Sequence, residues 1–491
     1  MPRALFIASL RYDRAVSGYF VESFGCRATQ ADGAALERQF EERGMTRASS
    51  PAKATLVVLN TCTVTASADR DARAAVRRVR RQNPEARIVV TGCYAQRAPE
   101  EIAALPGVDL VIGNSHKHQL AEIALPELFR AEKPHADFVP LSFLVENREL
   151  RTEGSIFVSD IFAHTELLAA PVFDTAGDSH ESLRTRPNLK VQDGCDNRCS
   201  FCVIPYVRGQ SRSMEIDRIL REVNGLVDSG YREVVISGIN LGRWGRDLAA
   251  SGRLSAVSKS RQRPTVKDLP SLIRGILSET ALEKLRISSV EPMDWTDELI
   301  SLVASSARIA KHAHVPMQSG SDAVLRRMHR KYRPWHYREK IEKIRAAMPR
   351  AAIGADVMVG FPGETNAEFE ATRRMIEELP LTYLHVFTYS ARPGTPAATM
   401  RNQVPVQEAR ERNRILRELA AEKKLAFMRG FVGQELGAIT LNVVGSDAGG
   451  EFTEALTDNY LKLRLRGRQE PNQWLRVRIG DVMDWALVGR T

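Results

Sequence analysis

The chain has 491 residues, 43% of them hydrophobic, and a formal net charge of +10 at pH 7. This length exceeds one compact core and predicts roughly two to four domains, and no apolar run is long enough to span a membrane. The positive charge favours a polyanionic partner, and the absence of a secretory signal predicts a reducing, cytoplasmic environment in which structural disulfides are rare.

The first part of the chain, residues 18–125, alternates strand-like and helix-like segments. The runs YFVESFG, TLVVLN, RIVVTG and DLVIG predict strands, whereas AALERQFEER and SADRDARAAVRRVRRQ predict helices. Strands that alternate with helices imply a parallel sheet that is covered on both faces. The fold class is therefore predicted to be α/β, beginning with a parallel domain.

Three of the six cysteines come directly after predicted strands. Cys26 follows YFVESFG, Cys62 follows LVVLNT, and Cys93 follows IVVTG. The carboxyl ends of parallel strands meet at one edge of a sheet, and open α/β sheets bind ligands there. We therefore expect the three thiols to converge at that edge as metal ligands. The alternative for each cysteine is a small buried hydrophobic residue.

Residues 126–185 show little periodicity and are interpreted as a linker with an insertion. From residue 186 to about 425 the alternation returns, with the strand-like runs NLKVQDG, REVVISG, KLRISSV, HAHVPM, AIGADVMVG and YLHVFTY. Six such units predict a partial (β/α)6 barrel, whose chemistry lies at the carboxyl ends of the strands. Polar residues stand at those ends: Asn240, Glu291, Gln318, Tyr389 and Arg392. The Ser- and Arg-rich segment 249–264 is interpreted as a solvated loop.

The run GCDNRCSFC places Cys195, Cys199 and Cys202 three and then two residues apart. This spacing suits three thiolates on one [4Fe–4S] cluster and leaves one iron open to bind and cleave a ligand. Zinc is a weaker alternative, since neither a fourth cysteine nor a nearby histidine completes a tetrahedral site. An electron carrier with two fully ligated clusters would need further cysteines. The histidines of the barrel lack metal spacing and are predicted to pack or to form hydrogen bonds: His312, His314, His329 and His385.

From about residue 426 the pattern changes to short alternating strands. LKLRLR and WLRVRI have a period of two, which indicates strands with one buried face. We expect a small β-barrel whose basic outer face follows a nucleic-acid backbone. The alternative is that these charges only keep the strands soluble. The residues of the predicted basic face are Lys462, Arg464, Arg466, Arg476 and Arg478.

These motifs together resemble the radical S-adenosylmethionine methylthiotransferase family over nearly the whole chain. The resemblance rests on FGCRATQ, NTCTVT and TGCYAQ, and on QDGCDNRCSFCVIPYVRGQSRS, SGINLGRWG, RISSVEP, HVPMQSGSDAVLRRMHRKY, DVMVGFPGET and FTYSARPGTPA. It implies a cluster domain at 18–125, a radical domain at 186–425 and a TRAM RNA-binding barrel at 426–491. Thr29 stands where the family usually has Asn, while Asp32 keeps the acidic position that follows.

The resemblance also implies the cofactors, which are S-adenosylmethionine and two [4Fe–4S] clusters with one open iron each. The cluster on Cys195, Cys199 and Cys202 would generate the adenosyl radical. The cluster on Cys26, Cys62 and Cys93 would hold the sulfur that is methylated and delivered. Further cofactor-binding residues are implied at Phe201, Gly238, Asn240, Glu291 and Gln318.

Three substrates compete within this family: N6-threonylcarbamoyladenosine 37 and isopentenyladenosine 37 of tRNA, and an aspartate of ribosomal protein S12. The wording NTCTVT, QDGC and FCVIPYVRG resembles the threonylcarbamoyladenosine enzymes. We therefore expect methylthiolation of C2 of that nucleoside. The implied partners are the tRNA anticodon loop and a flavodoxin-like or ferredoxin-like electron donor, with no membrane or DNA partner.

Overall fold

A computed structural model describes residues 18–125, 156–171, 185–250, 268–447 and 450–490. The loop predicted at 249–264 lies outside the described residues except for its first two positions, and so does most of the predicted linker. The described chain folds into three connected parts, which are a parallel α/β layer, a row of six parallel strands with helices, and a closed β-barrel.

The first part is a six-stranded parallel sheet in the order β2-β1-β3-β4-β5-β6. The predicted strands and helices are confirmed. Strand β6 was not predicted and falls in the segment interpreted as linker, because a strand of two residues is too short to show periodicity in the sequence. The strands are β1 (Gly18–Ser23), β2 (Thr46–Arg47), β3 (Leu56–Thr61), β4 (Arg87–Gly92), β5 (Leu110–Gly113) and β6 (Ile156–Phe157). The helices are α1 (Arg27–Glu41), α2 (Ala66–Gln82), α3 (Cys93–Arg97), α4 (Pro99–Ala103) and α5 (Leu120–Ala124).

Two apolar clusters cover the two faces of this sheet. Strand β3 is buried along its whole length, as expected for the centre of a parallel sheet. Leu36 and Phe40 of α1 belong to the cluster on one face, and Val76 and Val79 of α2 belong to the cluster on the other. The helices therefore fix the sheet so that the ends of β1, β3 and β4 share one edge.

The second part contains the six strands that the sequence predicts, in chain order and parallel. They form two short sheets, β10-β9-β7-β8 and β11-β12-β13, which single bridges such as Leu285–Ile309 join. Strand β8 runs antiparallel to β7. The strands are β7 (Asn188–Asp193), β8 (Arg212–Ser213), β9 (Glu233–Gly238), β10 (Lys284–Ile287), β11 (His312–His314), β12 (Ala352–Val359) and β13 (Tyr383–Thr388).

Helices pack around these strands over one large apolar core, in which Trp244 and Trp295 are fully buried. The helices are α6 (Ile204–Arg208), α7 (Ile216–Asp228), α8 (Arg246–Ala250), α9 (Leu269–Glu279), α10 (Asp297–Ser305), α11 (Asp322–Arg327), α12 (Pro334–Ala347), α13 (Asn366–Glu378) and α14 (Val406–Arg429). Among the helices that the structure describes, none combines the length and the apolar character that a membrane crossing needs.

The carboxyl-terminal part is a closed barrel of five strands in the order β14-β15-β16-β18-β17. The predicted alternation is confirmed, because Leu461, Leu463 and Leu465 are buried in its core. The strands are β14 (Glu435–Asp447), β15 (Gly450–Thr457), β16 (Lys462–Arg466), β17 (Trp474–Met483) and β18 (Ala486–Arg490).

The outer face of β16 carries less free positive charge than its sequence suggests. Arg464 lies 3.1 Å from Asp484, and Arg466 lies 2.5 Å from Asp447. Lys462 is 3.8 Å from Glu454. Acidic residues of β14, of β15 and of the turn between β17 and β18 thus neutralise much of the predicted basic face of β16.

The turn between β15 and β16 docks on the second part. Arg286 of β10 donates to the carbonyl oxygens of Thr457 and Asp458 at 3.4 and 3.3 Å. Asn459 donates to the Arg350 carbonyl at 3.0 Å. These contacts bring Tyr460 to the inner side of the parallel strands.

Candidate active site

The first cysteine triplet, Cys195, Cys199 and Cys202, lies in the loop between β7 and α6. The Cys202 N–H donates to the Cys199 carbonyl oxygen at 3.0 Å, which closes the end of the loop. Gly194 precedes Cys195 with φ +70°, and a Cβ atom there would lie 1.9 Å from the Gln210 carbonyl oxygen. Only glycine fits this position. The backbone therefore holds three thiols in one short loop.

Two side chains from distant segments, one after β9 and one after α11, donate to these sulfur atoms. Arg330 Nη1 lies 3.2 Å from Cys199 Sγ, and Asn240 Nδ2 lies 3.6 Å from Cys195 Sγ. Arg330 is buried and also pairs with Glu291. The structure thus brings two predicted cofactor residues to this loop, Asn240 by direct contact and Glu291 through Arg330.

Burial holds the thiols of Cys195 and Cys202 in the neutral form in the metal-free chain. Burial raises the pKa of the Cys202 thiol to about 12, and the nearby thiols of Cys199 and Cys195 raise it further. Burial likewise raises the pKa of Cys195. A metal group would displace these protons, since thiolate is the form that binds metals.

The other predicted cofactor residues lie around the same strand ends. Phe201 packs edge to face on Phe361, with ring centroids 6.4 Å apart. Gly238 ends β9, and Gln318 follows β11 with φ +60° and is joined to β12 by backbone hydrogen bonds. Contact of Phe201, Gly238 and Gln318 with a cofactor stays a prediction.

The second triplet, Cys26, Cys62 and Cys93, lies where the sequence predicts it, at one edge of the first sheet. Cys26 caps α1 after β1, and Cys62 and Cys93 directly follow β3 and β4. Gly25 has φ +98°, and a Cβ atom there would lie 2.6 Å from the Cys62 Cβ atom. This close approach brings the segment that carries Cys26 against Cys62. Burial raises the pKa of Cys62 to about 12, and the Cys93 thiol adds to the shift.

A buried network of charges joins the two triplets. Lys117 and Arg208 each lie 3.0 Å from Asp32, and Lys190 pairs with both Asp32 and Asp193. Arg208 also donates to both oxygens of Asp193 at 3.0 Å. Burial alone would raise the pKa of Asp32, but Arg208, Lys117 and Lys190 outweigh it and lower that pKa to about 2. Three cations face two carboxylates, which leaves an excess of positive charge.

This positive charge lies beside the second triplet. Cys93 and Cys26 belong to the electrostatic surroundings of Arg208, and Cys93 to those of Lys117. Arg208 donates to Thr29 Oγ1 at 3.3 Å, and that hydroxyl lies 3.5 Å from Cys26 Sγ. Thr29, which departs from the family pattern, thus connects the network to Cys26.

Sequence reasoning assigned no role to the cations of this network. Arg208 stands in the quoted run FCVIPYVRG, but nothing in that run indicates a partner 176 residues away. Lys117 lies in a polar stretch without a motif and reaches Asp32 across 85 residues. Lys117 and Asp32 meet within the first part, and the packing of that part against the second brings Arg208 to Asp32.

A cavity of about 270 Å³ lies beside Cys26 of the second triplet. Cys26 and Arg27 form one side of it. Ser237, Gly238 and Ile239 form another, and the residue that follows them is Asn240, which contacts Cys195. Tyr460 of the carboxyl-terminal barrel completes the wall.

Three histidines of the second part, His312 and His314 of β11 and His385 of β13, line this cavity. His312 Nε2 shares a 2.6 Å hydrogen bond with the Tyr383 hydroxyl, which confirms its predicted hydrogen-bonding role. His314 stacks on the same tyrosine, and His385 contacts it edge to face. Burial lowers the pKa of His312 and of His385, so both rings are neutral at pH 7.

A groove of about 620 Å³ adjoins the cavity and shares Tyr383, His385 and Tyr460 with it. The groove runs between β13, α14 and the carboxyl-terminal barrel. Phe387 and Trp485 are half-exposed on its wall. Its cations are Arg186, Arg417, Lys424 and Lys462.

Across the described ranges, no three Cys, His, Asp or Glu side chains are close enough to hold a single metal ion. The cysteine triplets do not require this, because the three thiolates of a [4Fe–4S] cluster bind three different irons. All six cysteines are free thiols.

Two families of known proteins match the chain. Residues 18–113 match the uncharacterized protein family UPF0004, and residues 189–376 match the radical SAM superfamily. Residues 18–113 contain Cys26, Cys62 and Cys93 of the second triplet, and residues 189–376 contain Cys195, Cys199 and Cys202 of the first triplet.

Characterised relatives match over nearly the whole length. The threonylcarbamoyladenosine tRNA methylthiotransferase MtaB of Aquifex aeolicus is 35% identical over 458 residues, which are 93% of this chain and 99% of that protein. MtaB of Bacillus subtilis is 34% identical and covers 91% and 90%. The tRNA-2-methylthio-N(6)-dimethylallyladenosine synthase of Cereibacter sphaeroides is 33% identical and covers 86% of each chain.

A solved structure with a similar fold is the radical S-adenosylmethionine methyltransferase TsrM from Kitasatospora setae. Its TM-score is 0.52 at 16% identity, over 78% of this chain and 75% of that one. This similarity supports the α/β architecture of the parallel strands.

Proposed function

Because the chain belongs to the radical S-adenosylmethionine methylthiotransferase family, we propose that it converts N6-threonylcarbamoyladenosine 37 of tRNA to its 2-methylthio derivative. The observation that carries this proposal is the cavity that Cys26 lines on one side and that the residues before Asn240, which donates to Cys195, line on another. C2 of adenine has no acidic hydrogen, so side-chain acids and bases cannot replace it, and a radical cofactor is required. The proposal includes a cluster domain at 18–125, a radical domain at 186–425 and a TRAM domain at 426–491.

The residues present fit two [4Fe–4S] clusters. Each triplet offers three thiols and no fourth cysteine, and each is flanked by hydrogen-bond donors or cations that suit an anionic cluster. Cys195, Cys199 and Cys202 would hold one cluster, and Cys26, Cys62 and Cys93 the other. When bound, the first supplies the electron that cleaves S-adenosylmethionine, and the second supplies the sulfur that becomes the methylthio group.

Residues around the triplets position these groups and tune their charge. Arg330 and Asn240 donate to thiolates of the first triplet, which stabilises their negative charge. Arg208 and Lys117 place positive charge beside the second triplet. The cavity walls hold the base next to Cys26.

The adjoining groove supports tRNA as the substrate. Exposed aromatic rings next to cations are typical of surfaces on which unpaired bases stack. Bases of an anticodon loop can turn out of their stack into a protein pocket. An RNA strand in the groove would place one base past Tyr460 and into the cavity. A flavodoxin-like or ferredoxin-like protein as the electron donor, and a cytoplasmic location, belong to the same proposal.

Nucleoside mass spectrometry tests the function directly. We expect tRNA from a deletion strain to accumulate N6-threonylcarbamoyladenosine and to lack its 2-methylthio form, and the intact gene to restore it. An unchanged pool would contradict the proposal. Loss of the methylthio form of isopentenyladenosine instead would assign the second family activity, which the relative from Cereibacter sphaeroides carries.

Two cysteine variants test the division of labour. Cys199→Ala should abolish release of 5′-deoxyadenosine. Cys62→Ala should retain this release and lose methylthiolation, because the first triplet remains complete. Equal loss of cleavage in two folded variants would refute the separate roles of the triplets.

A further inference from the structure

The cavity beside Cys26 contains an arginine without a counter-ion. Arg27, the first residue of α1, lines the cavity. Among the described residues its guanidinium has no ion pair and no hydrogen-bond acceptor, whereas the nearby Arg286 is paired with Glu233. Asp356 lies 3.4 Å from His314 on the far wall. Arg27 is exposed, so its positive charge is available to a ligand at the open side of the cavity.

Unpartnered buried groups of the same cavity point to a polar ligand independently of Arg27. In the part of the chain that the structure describes, Ser237 Oγ and Ser288 Oγ are buried without a hydrogen-bond partner. The Ser237 residue is only 4% exposed. Buried polar atoms are rarely left without partners, because each such atom costs free energy. A bound ligand with oxygen and nitrogen atoms would satisfy them.

The chemistry of the proposed substrate matches this set. Its threonylcarbamoyl group ends in a carboxylate and carries a hydroxyl, whereas an isopentenyl group is apolar. C2 and C6 of adenine both flank N1, so a substituent on N6 lies close to the carbon that receives sulfur. A base with C2 near Cys26 therefore brings its N6 substituent within reach of a side chain next to Cys26.

We propose that Arg27 binds the carboxylate of the threonylcarbamoyl group and so selects this nucleoside over uncharged ones, with Ser237 and Ser288 as partners for its polar atoms. A guanidinium pairs well with carboxylate, and the helix N-terminus at Arg27 adds to the favourable field. The inference rests on the proposed function and names the residue that determines its specificity.

The test compares the binding affinities of two RNA ligands for two proteins in a double-perturbation thermodynamic cycle. The ligands are synthetic anticodon stem-loop RNAs that carry either N6-threonylcarbamoyladenosine or its neutral methyl ester at position 37. The proteins are the reconstituted wild type and Arg27→Gln, and binding is measured by fluorescence anisotropy. We expect the wild type to bind the carboxylate RNA about 10- to 100-fold more tightly than the ester, because a hydrogen-bonded charge pair is lost. Arg27→Gln should bind both RNAs equally, and Arg27→Lys should keep part of the preference.

A matched control is Arg417→Gln in the groove, which should weaken the binding of both RNAs by the same factor. Equal wild-type affinity for the two RNAs would overturn the inference without any variant. A preference that survives in Arg27→Gln would overturn it as well. Failure of the proposed function is a separate result, seen when the wild type binds these RNAs but never methylthiolates the carboxylate form.

Discussion

The substitution Arg208→Gln tests whether the buried charge network holds the first sheet against the parallel strands of the second part. Arg208 is 2% exposed and makes charged hydrogen bonds to Asp193 on β7 and to Asp32 on α1. Glutamine keeps a polar side chain but removes the positive charge. Two carboxylates then share the two lysines of the network, Lys117 and Lys190.

The expected loss is large because the site is dry. Removing one partner of a buried ion pair costs about 3–5 kcal/mol, whereas an exposed pair contributes about 0–1 kcal/mol. For a domain of roughly 200 residues, such a loss lowers the unfolding midpoint by on the order of 10 °C.

The assay is thermal unfolding of the cluster-free chain, followed by circular dichroism. A chain of this size unfolds in more than one step, so the midpoint of the first transition is the quantity to compare. The matched control is Arg38→Gln. Arg38 on α1 pairs with Glu222 on α7 at 3.1 Å, but its side chain is 42% exposed. It therefore connects the same two parts in water, and its loss should lower the midpoint by only about 1 or 2 °C. Equal midpoints for the two variants would refute the reasoning.

Further measurements test other parts of the structure. Asp32→Asn should lower the unfolding midpoint at neutral pH, and its difference from the wild-type midpoint should disappear as the pH falls from about 4 toward 2. The pKa of Asp32 in the folded chain is about 2, so the carboxylate stabilises the fold fully above its ordinary pKa and loses this effect as it is protonated. A midpoint difference that stays constant over this pH range would contradict the prediction. Arg330→Gln should shift the reduction potential of the cluster on Cys199 measured by redox titration and slow S-adenosylmethionine cleavage, because it removes the donor to that sulfur; an unchanged potential would show that this contact has no effect. Trp485→Ala should weaken tRNA binding about 5- to 100-fold in a filter-binding assay through loss of a stacking surface, and unchanged binding would exclude Trp485 from the RNA site. The reconstituted wild type should hold about eight irons, and a value near four would contradict two clusters.

The sequence was sufficient to predict the strands and the convergence of their cysteines. Runs such as LVVLNT are short, β-branched and uninterrupted, so they predict buried parallel strands, and a residue that follows such a run must lie at the edge of the sheet. Cys62 and Cys93 follow from this rule. The alternation of Leu461, Leu463 and Leu465 likewise predicts which face of β16 is buried.

Contacts between distant segments could not be predicted in this way. Asp32 meets Lys190 across 158 residues, and no periodicity in either segment indicates the other. The charge on β16 was overestimated for the same reason, since Asp447 lies on β14 and Asp484 lies in the turn between β17 and β18. The free charge of Arg27 is also invisible in sequence, because it depends on which acids the fold leaves nearby.

Tyr460 has a consequence for how such enzymes can be rebuilt. It belongs to the carboxyl-terminal barrel, yet its ring lies 4.5 Å from His312 and 5.4 Å from the Arg286 guanidinium. A truncated chain without this barrel would lack Tyr460, and the cavity would be open on that side. The barrel therefore cannot be exchanged as an independent domain. A chimera must preserve the turn that carries Tyr460 so that the wall of the cavity stays complete.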